Sequence, residues 1–341
     1  MGTQLSSIID AEEISIEQLN NKKLAVDAFN MLYQFLTTIR QYDGTPLKDD
    51  NGNITSHLSG LFFRVTKLMK EGIKLAFVFD GVSPNLKKKE KERRKEVKLE
   101  AKKKYDLAVE EGDVELMKKY AGRTAYLNSE MIDEAKELIE ALGLPIIQAP
   151  SEGEAQAAYM AKKGEFYGIL SQDTDGLLFG SPRVIKNLSI SGKKKKANTS
   201  AYFAQSPEVI ELANVLNTLG IDHDQLIVVS ILCGTDFNIG GIKGIGPKNA
   251  IKLVKEYGND FEKLFMDNKW DEFFDYPWKD VFDTIKKIPI SDDYKLQWGN
   301  VDAEKINEIL IKRHNFSQER VEKSISDIVK KQAQKGLSDF F

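Results

Sequence analysis

Carboxylates stand where short apolar runs end in this chain. Asp27 closes the run 24–26 and Asp80 closes 75–79. Asp173 and Asp175 follow the run ending at Leu170, and Glu152 and Glu154 open the stretch after 145–147. Asp236, in Cys233-Gly234-Thr235-Asp236, is a seventh candidate from the later half. Any one such acid is accounted for as a helix cap, or as a charge suited to a helix N-terminus. Six at the same end of successive strands are not. Carboxylates packed this closely repel unless they are protonated or bridged by cations. Hard oxygen donors select Mg²⁺ or Mn²⁺. Two such ions roughly 4 Å apart stabilise the attacking and leaving oxygens of a phosphodiester.

A basic segment lies six residues beyond Asp80. Residues 86–104 read LKKKEKERRKEVKLEAKKK, with eleven Lys/Arg against four Glu and a local net charge of +7. So few apolar residues cannot make a core helix, although Glu at helical spacing supports a solvated one. Its position beside the acids suits a polyanionic substrate whose phosphates need both. Gly240-Gly241-Ile242-Lys243-Gly244-Ile245-Gly246-Pro247-Lys248 precedes a further helix. Glycines there let a backbone approach a phosphate at the helix N-terminus. The run is not a Walker loop, because no Ser or Thr follows Lys248. Residues 192–196 (GKKKK) read either as a solvated hairpin tip or as a second contact to DNA. The C-terminal Gln334, Leu337, Phe340 and Phe341 place two aromatics at a polar end, which is costly to leave in water.

The elements that position these groups alternate. The apolar runs 24–26, 75–79, 145–147, 167–170 and 183–188 read as buried strands. Helical patterns at 30–41, 56–71, 130–142 and 152–163 separate or follow them. This is the signature of an α/β fold with a mostly parallel sheet and helices on both faces. After about residue 200 the stretches 207–219, 222–233, 247–257, 303–314 and 318–332 all read as helical. Residues 43–53 read as a polar turn, since Asp49-Asp50-Asn51-Gly52 lacks the closing Glu of a calcium loop.

Composition narrows the classes. Lys+Arg number 49 and Asp+Glu 52, for a net charge of −3, which excludes a uniformly basic coat protein but not a local patch. One cysteine excludes an intrachain disulfide and a Cys-rich zinc site. Three scattered histidines and no G-x-S-x-G argue against imidazole metal sites and a serine hydrolase. No apolar run approaches the ~18 residues of a membrane span, so no membrane partner is expected and the reading is intracellular.

Taken together, the blocks Val26-Asp27-Ala28, Tyr33-Gln34-Phe35-Leu36, Thr55-Ser56-His57-Leu58, Val78-Phe79-Asp80-Gly81, Pro150-Ser151-Glu152-Gly153-Glu154-Ala155, Gln172-Asp173-Thr174-Asp175, Gly234-Thr235-Asp236 and Gly244-Ile245-Gly246-Pro247-Lys248 resemble those of archaeal-type flap structure-specific endonucleases, in the 5′-nuclease superfamily. The likeness spans nearly the whole chain. It implies that Asp27, Asp80, Glu152, Glu154, Asp173, Asp175 and Asp236 hold two Mg²⁺ ions, with Mn²⁺ able to substitute. It implies that the basic segment belongs to a helical arch, with Lys87 and Arg94 as its catalytic cations. By the same resemblance Tyr33 stacks on a nucleobase, Arg40 and Arg64 grip phosphates, and Thr55 and Arg320 line a pocket for a one-nucleotide 3′ flap. Gly244, Gly246 and Lys248 belong to a helix–two-turn–helix motif holding duplex DNA, with K⁺ as a further family feature. The tail resembles a sliding-clamp-binding peptide.

The implied function is Mg-dependent cleavage of branched DNA at the base of 5′ flaps, in replication and repair, with associated 5′-3′ exonuclease activity. A monomer in the cytoplasm or nucleoid is implied. The domain limits are 1–105 for an N-terminal nuclease region with the start of the arch and 106–235 for the rest. Residues 236–332 form a helical DNA-binding region and 333–341 the tail. The alternatives are a related exonuclease or bubble-cutting nuclease, a small-molecule phosphatase built on Asp173-Thr174-Asp175-Gly176, and a non-catalytic junction binder.

Overall fold

The computed structural model describes residues 4–188, 192–195 and 202–338. In chain order the elements are β1 (Glu12–Glu13), β2 (Lys23–Asp27), α1 (Ala28–Thr38), α2 (Ser56–Lys70), β3 (Lys74–Phe79), α3 (Lys88–Glu110), α4 (Val114–Ala121), α5 (Ser129–Ala141), β4 (Ile146–Gln148), α6 (Gly153–Lys162), β5 (Gly168–Leu170) and β6 (Arg183–Lys186). There follow β7 (Gly192–Lys195), β8 (Tyr202–Gln205), β9 (Glu208–Glu211), α7 (Leu212–Leu219), α8 (His223–Cys233), α9 (Pro247–Tyr257), α10 (Phe261–Asp267), α11 (Trp278–Lys286), α12 (Ala303–Asn307) with a π-helical continuation Glu308–Arg313, and α13 (Gln318–Ser338).

The main sheet has the order β1-β9-β6-β5-β2-β3-β4. The five strands from β6 to β4 are parallel, while β9 and β1 close the far edge antiparallel. Alternation explains why the central strands read as unbroken apolar runs. Leu24, Val26, Leu75, Phe77 and Phe79 enter one core, against α1, α2 and α5. Ala25, Ala76 and Val78 point the opposite way, against α6. Both faces are buried, as expected of a parallel sheet. The alanines of α6 (Ala155, Ala157, Ala158, Ala161) let that helix lie close to Ala25 and Ala76.

A separate core joins α8 to α11. Trp270, Phe265, Trp278 and Phe274 stack there, with Phe265 and Trp278 centroids 4.6 Å apart and Trp270 and Phe274 4.2 Å apart. Tyr276 reaches out of this cluster, its Oη donating to the Phe237 carbonyl at 3.0 Å. Leu86 at the foot of α3 packs on the same core, which fixes where the basic helix starts.

The fold matches the α/β expectation with one correction. The stretch 207–219 is not one helix. Residues 208–211 form the edge strand β9, and the helix starts at Leu212. Val209 and Ile210 are buried in pairing with β6, so sheet contacts override the helical reading. The turn at 43–53 is found as expected. Asp49 accepts from the Asn51 and Asn53 backbone N–H groups and from His314 Nδ1 at 2.9 Å, while His314 Nε2 meets Glu134 Oε1 at 2.9 Å. One buried imidazole, at the end of the π-helical segment 308–313, thereby ties this loop to α5. No single helix among the described residues is long and apolar enough to cross a membrane.

Candidate active site

The sheet delivers the acids. Strand order runs outward in both directions from β2, so the carboxyl ends of β5, β2, β3 and β4 face one crevice at a topological switch point. Register makes those ends level. Asp27 pairs with Val78, Val26 with Leu170 and Phe79 with Gln148.

Asp27 is the last residue of β2 and also the N-cap of α1, where its Oδ1 accepts the Asn30 N–H at 3.0 Å. The capping and the functional readings of this acid therefore both hold. Asp80 Oδ1 accepts the Gly153 N–H at 2.6 Å. A Cβ at position 153 would stand 2.8 Å from that oxygen, which is why a glycine separates the two glutamates. Glu154 Oε1 accepts from Ser171 Oγ at 2.7 Å, and Ser171 Oγ accepts from the Asp173 N–H at 3.2 Å.

The carboxylates sense one another. Burial, then Asp80 and Asp173, push the Asp27 carboxyl up to about 8. Burial, then Asp27, Asp175 and Asp173, hold Glu154 well above the usual range. Burial also raises Glu152, partly offset by Lys87. Asp236 reaches the same place on the turn after α8. There Asn238 Oδ1 accepts from Thr235 N–H at 3.1 Å and Oγ1 at 2.7 Å.

The arch closes the site from above. Lys87 Nζ bonds Glu152 Oε2 and lies 3.4 Å from Asp236 Oδ2. Burial works against the Lys87 charge, but Glu152, Asp236 and Asp80 outweigh it and raise its pKa. Arg94 Nη2 lies 2.8 Å from both Asp236 oxygens, and its Nε bonds Glu90 at 2.6 Å. One turn on, the Lys98 ammonium lies 4.6 Å from the centroid of Tyr33. Lys87, Arg94 and Lys98 thus form one cationic face of the arch, directed at the acids and at Tyr33 (the spacings of seven and four are helical).

Other expected residues lie outside this cluster. Arg40 Nη1 donates to the Gly44 carbonyl at 2.9 Å, and the Arg64 guanidinium sits 5.6 Å from the centre of Phe35. Arg320 lies over Phe63 at 4.7 Å, about two turns of α2 from Thr55, which is itself buried. Lys248 and Gly244 are exposed at the start of α9, and Gly246 caps that helix. Gly244 has φ +90° and open space beside it. Gly241 differs, since a Cβ there would meet the Leu232 carbonyl at 2.3 Å. That glycine serves chain packing. Phe340 and Phe341 lie outside the described residues. Gln334 and Leu337 fall in the last turns of α13, where only the backbone is described, and Lys193–Lys195 lie in β7 on the same terms.

The donor set fits a hard divalent cation. It consists of carboxylate oxygens, and Glu152 Oε1 is buried without a hydrogen-bond partner. As they stand, no three His, Cys, Asp or Glu side chains among the described residues are close enough to ligate one ion. The Lys87 ammonium and Arg94 guanidinium supply the counter-charge instead.

A pH dependence follows. Asp27 has a folded pKa of about 8 against an ordinary 3.8, so its contribution to stability is full below 3.8 and is lost as pH rises through 8. His57 acts oppositely. Burial, then His314, lower it to about 3, so its contribution is full above 6.5 and falls below that. Between pH 6.5 and 8 the Asp27 contribution falls while that of His57 stays constant. The Tm of the metal-free protein should fall across that window, and the Asp27→Asn variant should flatten the fall. Equal slopes in the two proteins would contradict this account of the site.

Comparison with known proteins agrees with this geometry. The XPG N-terminal domain family matches residues 1–101 and the XPG I-region matches residues 143–236. The chain is 48% identical over 333 residues to the flap endonuclease 1 of Aeropyrum pernix, covering 97% of this chain and 95% of that protein. The structure of flap endonuclease-1 from Methanococcus jannaschii superimposes with a TM-score of 0.76 at 39% identity, covering 98% of this chain and all of that one. The catalytic core of Rad2, solved with a DNA substrate, gives 0.70 at 26% identity over 96% of this chain and all of that one. Acids at level strand ends, a cationic helix above them and likeness along nearly the full length lead to one conclusion: the chain belongs to the flap endonuclease 1 family of 5′-nucleases.

Proposed function

We propose that this chain hydrolyses a DNA phosphodiester at the base of a 5′ single-stranded flap, in replication and repair, with associated 5′-3′ exonuclease activity. The carrying observation is the convergence of level carboxylates under Lys87 and Arg94. The family is one of metal-dependent nucleases. Asp27, Asp80, Glu152, Glu154, Asp173, Asp175 and Asp236 are the residues that would hold two Mg²⁺ ions, or Mn²⁺ in their place. Those ions would supply a water nucleophile active at neutral pH and charge to stabilise the leaving 3′ oxygen.

The chain's own residues do the rest. Lys87 and Arg94 leave their carboxylate partners and turn to the scissile phosphate, placing positive charge where the transition state gains negative charge. Tyr33, midway along α1, exchanges its contact with Lys98 for a nucleobase at the junction. Arg40 and Arg64 meet phosphates beside it. Gly244, Gly246 and Lys248 at the start of α9 hold the duplex through its backbone, with K⁺ completing that motif. Arg320 and Thr55 belong to the 3′ side of the junction. The branched-DNA partner is supported by the structural likeness to the Rad2 core with its DNA substrate. The sliding clamp, as partner of Gln334, Leu337, Phe340 and Phe341 on a monomeric enzyme, is supported by residue spacing.

The test is cleavage of end-labelled double-flap, bubble and blunt duplex DNA with and without Mg²⁺. A Mg²⁺-dependent cut at the flap junction, leaving a 5′ phosphate, is expected. Preferential cutting of the bubble would favour a repair nuclease instead.

A further inference from the structure

Asn30 is an uncharged polar residue of the site that touches both halves of the crevice. It is the third residue of α1. Its backbone N–H donates to Asp27 Oδ1 at 3.0 Å. Its side-chain Nδ2 donates to Asp173 Oδ2 at 2.9 Å, and its Oδ1 accepts the Gln172 N–H at 3.1 Å. The amide orientation is determined by these partners. Gln172 N–H can only donate and an ionised Asp173 can only accept, so the reversed amide would lose both bonds. One residue thus joins the end of β2, through its backbone, to the segment after β5, through its side chain.

That bracket is not needed for the helix. The cap on α1 uses the Asn30 backbone, and the core-facing residues of α1 are Ala28, Met31, Leu32, Phe35 and Leu36. The Asn30 side chain is half-buried at the mouth of the site, off that apolar face. Its two side-chain bonds do one thing a cap would not. They fix Asp173 relative to Asp27 by a neutral donor, where a cationic donor would compete with a metal for the carboxylates.

We propose that Asn30 is a positioning residue that sets the spacing of Asp27 and Asp173, and through it the affinity of the site for its divalent cation. The inference rests on the metal-dependent reading above. Groups that orient metal ligands without touching the ion typically change metal affinity by about 10–100-fold when removed. Leucine at position 30 keeps the approximate volume and the backbone cap but removes the donor and the acceptor.

The experiment uses the full chain and Mn²⁺ as probe, measured by calorimetry without DNA, beside a Mg²⁺ titration of flap cleavage. Asn30→Leu should bind Mn²⁺ about 10–100-fold more weakly and shift the half-maximal Mg²⁺ concentration upward by a similar factor. Its kcat at saturating Mg²⁺ and its DNA affinity in Ca²⁺ should stay near those of the parent, with a modest fall in metal-free melting temperature from the two lost hydrogen bonds. If Asn30→Leu does not fold, Asn30→Ser, which keeps the cap and is small enough to lose the Asp173 bond, gives the same readouts. Unchanged Mn²⁺ affinity in the folded variant overturns the proposal, as does a loss of kcat that saturating Mg²⁺ does not restore. Asp173→Ala separates the two layers. If Asp173→Ala leaves Mn²⁺ binding intact, the metal reading itself fails. If it abolishes binding while Asn30→Leu does not weaken it, only the role of Asn30 fails.

Discussion

Asp173→Ala is expected to lower flap cleavage in Mg²⁺ by at least about 10²–10³-fold while leaving DNA binding in Ca²⁺ within a few-fold. The asymmetry comes from position. Asp173 sits past the end of β5, facing Asp27 and Glu154, and its carboxylate is held by Asn30 rather than by a surface cation. It contributes nothing to the hydrophobic cores, so its loss does not disturb the scaffold. The cations of α3 and the glycine turn before α9, the proposed DNA contacts, remain in place. Parallel cleavage and electrophoretic binding assays measure the split. A variant that still cuts at the parent rate would refute the assignment of this acid. A variant that loses binding and cleavage equally would assign it to substrate recognition.

The second large effect belongs to Lys87. Its ammonium bridges Glu152 and Asp236 and is mostly buried, with 15% of its side chain exposed. Lys87→Ala should lower kcat by about 10²–10³-fold, because in the proposed mechanism its charge meets the reacting phosphate and acts in the transition state more than in binding. The same substitution leaves Glu152 without its counter-charge, whereas Asp236 keeps Arg94. The metal-free protein should therefore lose about 1–3 kcal/mol at neutral pH. The sign is fixed by the raised pKa of Lys87. Its contribution is fully present below its ordinary 10.5 and is lost only above that. Mg²⁺ should narrow the stability gap between variant and parent, since it replaces the missing charge, but should not restore kcat. Rescue of kcat by Mg²⁺ alone would show that Lys87 matters only for holding the acids apart.

Much of the scaffold was legible because burial on both faces leaves a continuous apolar run, as in β2 and β3. The acids were legible for the complementary reason that a charge ending such a run interrupts it. Edge strands carry no such signal. β1 is two exposed glutamates, and β9 hides its pairing partners in a stretch that also continues into α7. Asn30 was invisible because an asparagine in a first helical turn is unremarkable until its side chain is seen between Gln172 and Asp173. The glycines divide in a way that spacing does not show. Gly244 faces open space, whereas Gly241 is required by the backbone of Leu232 and Cys233. Lys98 read as one charge among eleven in the basic segment, and only the fold sets it over Tyr33.

The level strand ends also govern when the site comes into existence. Asp27 is aligned with Val78 and Val26 with Leu170, and Asp236 arrives on a turn still later in the chain. Pairings this distant in sequence form slowly, because each must close a long loop before it gains any contact. A chain emerging from the ribosome therefore carries its carboxylates apart until most of its length has been made. The capacity to cut is therefore expected to appear only once those distant segments have paired.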